Sequence, residues 1–140
     1  MKIIFLDVDG VLNSYKDRFS YILETDYHLE LLQRLVEQTG AKLVLSSSWR
    51  LGERIDDTLA TRLKDFNMKT IGSTPCLIDS CRGDEIREWM DKCKEEIESF
   101  VILDDESDMA EFTKTNLVKT NARIGLQEED ILKCIEILKC

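Results

Sequence analysis

The 140-residue chain has a single histidine, His28, and a single proline, Pro75. One histidine removes every hydrolase scheme built on two or three His metal ligands. It leaves a Ser–His mechanism one candidate, at the start of a predicted helix, where a surface residue rather than a catalyst is expected. Positive charge is short as well: 19 Lys plus Arg face 28 Asp plus Glu, a formal net charge of −9. Broad, non-specific binding to DNA or RNA needs many basic contacts to phosphate, so that function class is disfavoured; a small local phosphate site is not. The five cysteines (Cys76, Cys81, Cys93, Cys134, Cys140) include no CxxC pair and have no histidine nearby. They read as reduced thiols, not as a disulfide framework. The start, MKIIFLDVDG, reaches an Asp after a few apolar residues, too few for a signal peptide or a membrane span. The expectation is a cytoplasmic protein that does not engage a membrane. Repeats, low-complexity tracts and linker-like stretches are missing too, and the length fits one domain over residues 1–140.

What is present is enough to fold. A hydrophobic content of 43% rules out a disordered chain, and 34% charged residues supply a soluble surface. A chain of about 150 residues buries roughly 68–70% of its unfolded surface, so a core forms without disulfides. Lys2–Leu6 is a short apolar run ending in Asp7, the mark of a strand buried on both faces. Residues 27–39 space Leu29, Leu32, Leu35 and Val36 as a helix, with Gly40 as the stop. Residues 42–45 are a second buried strand, 52–65 a helix and 68–71 a third strand, with Gly72–Pro75 a turn or loop. Residues 83–97 read as a helix, 100–103 as a strand, 116–119 as a short last strand and 127–138 as an amphipathic helix. Alternating strands and helices predict an α/β protein: a single Rossmann-like, three-layer α/β/α domain with a mainly parallel five-stranded sheet.

Such sheets bind ligands outside the carboxyl ends of their strands. Three predicted strands end there in polar residues: Asp7, Ser46 and Asp104. In DVDG, a turn at Gly10 lets Asp7 face a substrate while Asp9 approaches from another side; the plain alternative is an acidic loop. In LSSSWR, hydroxyls and the backbone N–H groups of the turn suit a phosphate, or are a polar loop. In FVILDDESDM, adjacent carboxylates are costly to bury unpaired, and a hard cation such as Mg²⁺ offsets that cost. Asp105 as a helix N-cap is the alternative.

The order Asp-x-Asp, Ser, Arg or Lys, then Asp-Asp resembles the haloacid dehalogenase-like (HAD) phosphatases over nearly the whole chain. More narrowly, DVDGVLN, LSSSWR, TPCLIDSCRGDEIREWM and VILDDESDM are similar to the phosphatase domains of modular (Swiss Army Knife) RNA-repair proteins. The resemblance implies a phosphoric monoester hydrolase with Asp7 as nucleophile, ionised at the ordinary carboxylate pKa of about 4. It implies Asp9 as proton donor and acceptor, Ser46 and the Ser47 backbone on the phosphoryl oxygens, and Gly10 and Arg50 as further substrate-binding positions. Mg²⁺ would sit on Asp7, Asp9 (through its carbonyl), Asp105 and the neighbouring Asp104. The family's basic residue is often Lys; here Arg82 takes the place, with Arg87 inside the same helix as fallback. Asp108 is either a further acid near the metal or part of the following helix.

About 30 residues separate Asn13 from Leu43, and one helix, one strand and a loop fill the stretch from Arg50 to Arg82, so no cap domain fits. An open site excludes water only with help from a bulky substrate or a partner. That favours a phosphorylated substrate such as a nucleic-acid end, or a partner protein or homodimer covering the site. Residues 14–25 make a small flap, with Lys16 and Arg18 for charge and Tyr15, Phe19 and Tyr21 either stacking on a base or packing on the sheet. Competing expectations are a phosphatase of a nucleotide or small metabolite, and a receiver-like module that binds metal or phosphate without turnover. Phosphotransfer of the mutase kind ranks below both, because it needs a cap.

Overall fold

A computed structural model describes residues 1–14, 26–46 and 53–139, apart from the side chains of residues 53–57. The elements in chain order are β1 (Lys2–Leu6), α1 (Tyr27–Thr39), β2 (Lys42–Leu45), α2 (Glu53–Asp65), β3 (Thr70–Ser73), α3 (Arg82–Lys92), β4 (Ser99–Asp104), β5 (Leu117–Lys119) and α4 (Glu128–Lys139). A one-turn 3-10 helix, Ala110–Thr113, stands between β4 and β5. The five strands pair in parallel in the order β3-β2-β1-β4-β5. The α/β, Rossmann-like architecture is as the alternating pattern predicts.

Strand periodicity explains how both faces are covered. On β1, Ile4 and Leu6 join Leu29, Leu32 and Leu35 of α1, Leu59 and Leu63 of α2, and Ile131, Cys134 and Leu138 of α4. Ile3 and Phe5 point the other way and meet Ile86 and Trp89 of α3, with Val44 and Ile102 beside them. Ile3 to Leu6 are all fully buried, which is why β1 reads as an unbroken apolar run. The chain winds outward from β1 to β2 and β3, then crosses to the opposite side through β4. The strand order therefore reverses between β1 and β4, the place where an open α/β sheet leaves a crevice at its carboxyl edge.

Several boundaries differ from the periodic pattern. The third strand is Thr70–Ser73 rather than 68–71, because Met68 is a core plug: its N–H returns to Leu63 O and its side chain is buried. Gly72 and Ser73 are therefore strand rather than turn, and a Cβ on Gly72 would come within 3.3 Å of the Trp89 indole nitrogen. Helix α3 ends at Lys92, not 97. Its apolar stripe stops at Cys93, and Glu98 N–H already bonds Met1 O beside the sheet, so the chain must be extended by then. His28 is buried, not a surface residue; its Nε2–H donates to Ile124 O at 2.7 Å. Cys76, Cys81, Cys93 and Cys134 are free thiols. Among the described residues no helix is long and apolar enough to cross a membrane.

Candidate active site

The strand ends are level because the ladder continues past them. Asp7 N–H bonds Leu103 O at 3.0 Å, Ser46 N–H bonds Leu6 O at 2.9 Å, and Thr120 N–H bonds Asp104 O at 3.0 Å. Phe5, Val44 and Ile102 face α3, so residues two positions on, Asp7, Ser46 and Asp104, fall on that same side. All three are buried. Asp105 follows, partly exposed, and Asp7, Asp104 and Asp105 each offer a carboxylate oxygen within 4.8 Å of the others.

Arg82, the first residue of α3, closes this cluster. Its Nη1 donates to Asp104 Oδ2 at 3.1 Å and to Asp7 Oδ1 at 3.3 Å. The helix start is pinned from three sides. Gly83 N–H donates to Asp108 O at 3.2 Å, Cys81 N–H to Asp84 Oδ2 at 3.3 Å, and Leu77 N–H to Oε2 of the buried Glu85 at 2.9 Å. Asp108 thus precedes the 3-10 helix, holds α3 through its carbonyl, and adds its charge to the field that keeps Arg82 protonated. Arg87 lies outside: it pairs with Glu111 and covers the Phe112 ring at 5.4 Å. Of the two arginines, Arg82 contacts the acids and Arg87 does not.

Gly83 is where backbone meets backbone. A Cβ there would lie 2.4 Å from Met109 C and 2.5 Å from Met109 O. Gly83→Ala is expected to destabilise the fold by about 2–3 kcal/mol, at the upper end of overpacking effects. It should also lower any activity that depends on Arg82. A urea denaturation midpoint within error of the wild type would refute it.

The electrostatics change one expectation. Burial first, and then the adjacent Asp104, push the Asp7 carboxyl up to about 8 despite Arg82. Burial likewise raises Asp104 to about 6, partly offset by the Glu106 N–H and Arg82. For Arg82, burial works against the charge, but Asp104 and Asp7 outweigh it and hold the guanidinium protonated. Asp7 therefore does not keep the ordinary carboxylate pKa, because it is buried beside Asp104 and near Asp105, and the Arg82 guanidinium offsets them only in part. A set of hard oxygen donors crowded in this way fits a divalent cation such as Mg²⁺, whose charge would relieve the repulsion.

Asp9 stands apart from the carboxylate cluster. After Asp7 the chain turns: Val11 and Leu12 N–H both return to Val8 O, and Gly10 sits at φ +81°, open to glycine. Gly10 N–H bonds Asn13 Oδ1 at 2.8 Å, and Gly10 O accepts from Thr120 Oγ1 at 2.7 Å. Both its backbone groups are engaged within the protein, and its positive φ shapes the turn. Asn13 Nδ2 donates to Asp9 Oδ1 at 2.9 Å. The motif-based reading passes over Asn13 and Thr120. The only signal for Asn13 is an amide within an apolar turn, and Thr120 has none.

Ser47, Arg50 and residues 15–25 of the expected flap lie outside the described residues. Among the described residues, a cavity of about 850 Å³ opens between α2 and β3, around Leu59, Leu63 and Ile71. It reaches Leu45 and Ser73 at the carboxyl ends of β2 and β3, but its described lining includes none of Asp7, Asp104, Asp105 or Arg82. In comparisons with known proteins, no curated protein and no solved structure matches. A family described as the HAD domain in Swiss Army Knife RNA repair proteins matches residues 3–131, from the first residues of β1 into α4. With the acids of β1 and β4 and the arginine of α3 gathered at one sheet edge, the chain belongs to this family of HAD domains.

Proposed function

We propose that this HAD domain is a Mg²⁺-dependent phosphomonoesterase that works through an aspartyl-phosphate on Asp7, with the phosphorylated end of a polynucleotide as its substrate class. The observation that carries the reading is the juxtaposition of Asp7, Asp104 and Asp105 with Arg82 at the topological switch of the sheet. Family membership supports phosphatase-type hydrolysis. The family's description supports a nucleic-acid end, as does the lack of any cap domain among the described residues.

Asp7, Asp104 and Asp105 would hold the Mg²⁺. When bound, it would screen the repulsion between the anionic nucleophile and the anionic phosphoryl group. Asp7 then attacks phosphorus in its ionised form, the state that burial alone disfavours. As the Asp7–phosphorus bond forms, the bond to the leaving oxygen breaks, and Asp9 gives that oxygen a proton. Arg82 and Ser46 hold the phosphoryl oxygens, the first through a fork suited to phosphate. In the second half, Asp9 takes a proton from water. The water oxygen attacks phosphorus, the Asp7–phosphorus bond breaks, and phosphate leaves with Asp7 restored.

The test is phosphate release from p-nitrophenyl phosphate and from oligonucleotides phosphorylated at the 5′ or 3′ end. Release is expected only with Mg²⁺, stopping on chelation with EDTA and returning on re-addition. Faster turnover of an oligonucleotide than of a nucleotide would support the polynucleotide class. Release that persists in EDTA would overturn the metal-dependent mechanism. A phosphorylated Asp7 lasting many hours would make the domain a binding or receiver module instead.

A further inference from the structure

We infer that Asn13 is the positioning residue that sets Asp9 for proton transfer; the inference rests on the phosphatase reading above. Asn13 is 1% exposed, and its side-chain amide works in two directions. Its Oδ1 accepts the Gly10 N–H at 2.8 Å, and its Nδ2 donates to Asp9 Oδ1 at 2.9 Å. The first bond fixes which way the amide points, because only the oxygen can accept. The second then has one possible aim, the Asp9 carboxylate.

The turn that carries Asn13 is braced from the connection between β5 and α4. Thr120 Oγ1 donates to Gly10 O at 2.7 Å, and Leu126 N–H donates to Val11 O at 2.8 Å. His28 holds the same connection through Ile124 O. Gly125, at φ +70°, fits so closely that a Cβ would lie 2.7 Å from His28 Nε2 and 2.9 Å from Val11 O. The turn beneath Asn13 is therefore braced at several points, so losing one brace leaves the Asn13–Asp9 bond in place.

The chemical consequence concerns which oxygen carries the proton. Placed on Oδ1, a proton would confront the Asn13 N–H. The contact therefore assigns the transferable proton to Oδ2 and restrains rotation of the carboxyl. A general acid supplies about 10²–10⁴-fold, and only when it is within reach of the leaving oxygen. Asn13→Ala removes this restraint on Asp9 Oδ1.

A purely structural role for Asn13 predicts something different, and the leaving group separates the two. Phenol, like the tyrosine side chain, ionises near 10 and needs a proton to leave well. p-Nitrophenolate leaves as a stable anion, from a substrate of nearly the same shape. The ratio kcat/KM covers the steps through departure of the leaving group, so it isolates the half-reaction in which Asp9 is the acid. With Mg²⁺ present, Asn13→Ala is expected to lower kcat/KM for phenyl phosphate about tenfold or more beyond its loss for p-nitrophenyl phosphate, a part of the general-acid contribution. Thr120→Val breaks the brace on Gly10 without touching Asp9, and is expected to lower both substrates equally. Equal losses, or none, in Asn13→Ala would overturn the inference, as would a Thr120→Val variant with the same leaving-group preference. If melting shows that Asn13→Ala does not fold, Asn13→Asp carries the comparison with the same expectation, keeping the size and an oxygen for Gly10. A wild type inert toward both substrates would overturn the phosphatase reading and this inference together. An active wild type with equal losses overturns this inference alone.

Discussion

Asp7→Asn is expected to abolish phosphate release and, in the metal-free protein, to raise stability at neutral pH. The loss should reach about 10³-fold or more, because an amide has no anionic oxygen with which to attack phosphorus and removal of a nucleophile commonly costs at least this much. The gain follows from the raised carboxyls, Asp7 at about 8 and Asp104 at about 6. In the unfolded chain both lose their protons near 4. Between about pH 4 and 8 the folded protein therefore holds protons that the unfolded chain has released, and its stability falls as pH rises. Each proton so held contributes up to about 1.4 kcal/mol per pH unit. Asp7 alone spans the upper part of that window, from 6 to 8. Urea midpoints in EDTA at pH 5, 6, 7 and 8 should decline for the wild type throughout, and flatten above pH 6 in Asp7→Asn. Added Mg²⁺ should flatten the wild type as well, since a cation that binds the ionised acids stabilises the folded state alone. Phosphate release that survives in the purified variant would end the nucleophile assignment, and an unchanged pH slope would end the electrostatic one.

Arg82→Ala is expected to lower kcat by about 10²–10³, the usual effect of removing one preorganised donor from developing negative charge. Arg87→Ala, which breaks only an exposed pair with Glu111 and a ring contact, should stay within about twofold. Steady-state rates on p-nitrophenyl phosphate with Mg²⁺ make the comparison. Equal effects from the two arginines would show that the helix, rather than the Arg82 guanidinium, matters. In EDTA the Arg82 change carries a second signature. Asp7 and Asp104 lose the cation between them, and breaking a buried ion pair costs about 3–5 kcal/mol unless an acid takes up a proton. Melting of Arg82→Ala should accordingly recover on acidification from pH 8 to pH 5, where both acids can be neutral. Arg82→Lys should restore charge but not the planar fork for phosphoryl oxygens, and so recover only part of the rate.

The legible part of the chain is the part governed by short-range rules. β1, β2 and β4 are covered on both faces and so read as apolar runs; α1 stops at Gly40, whose φ of +70° and N–H to Val36 O match the sequence signal. β3 was the strand whose limits shifted most, because Met68 is apolar for the core and not for the sheet. Helix α3 ran short of its charged tail for a similar reason: residues 93–97 continue a helix by propensity, yet the chain bends at Lys94 and Glu95 so that Glu98 N–H can bond Met1 O beside the sheet.

The sequence by itself determined the α/β order, the acids and hydroxyl at the strand ends, and the basic residue at the head of α3. Each of these depends on neighbours within a turn or a strand. Only the tertiary structure decided that Arg82 and not Arg87 enters the cluster, that Asp7 sits near 8 and not near 4, that His28 is buried, and that Asn13 reaches Asp9. Desolvation and charge repulsion act between groups brought together from distant strands, and the backbone contact of Gly83 on Met109 joins segments that are remote along the chain. Local periodicity carries no information about such meetings, because they are set by how the sheet closes on its helices.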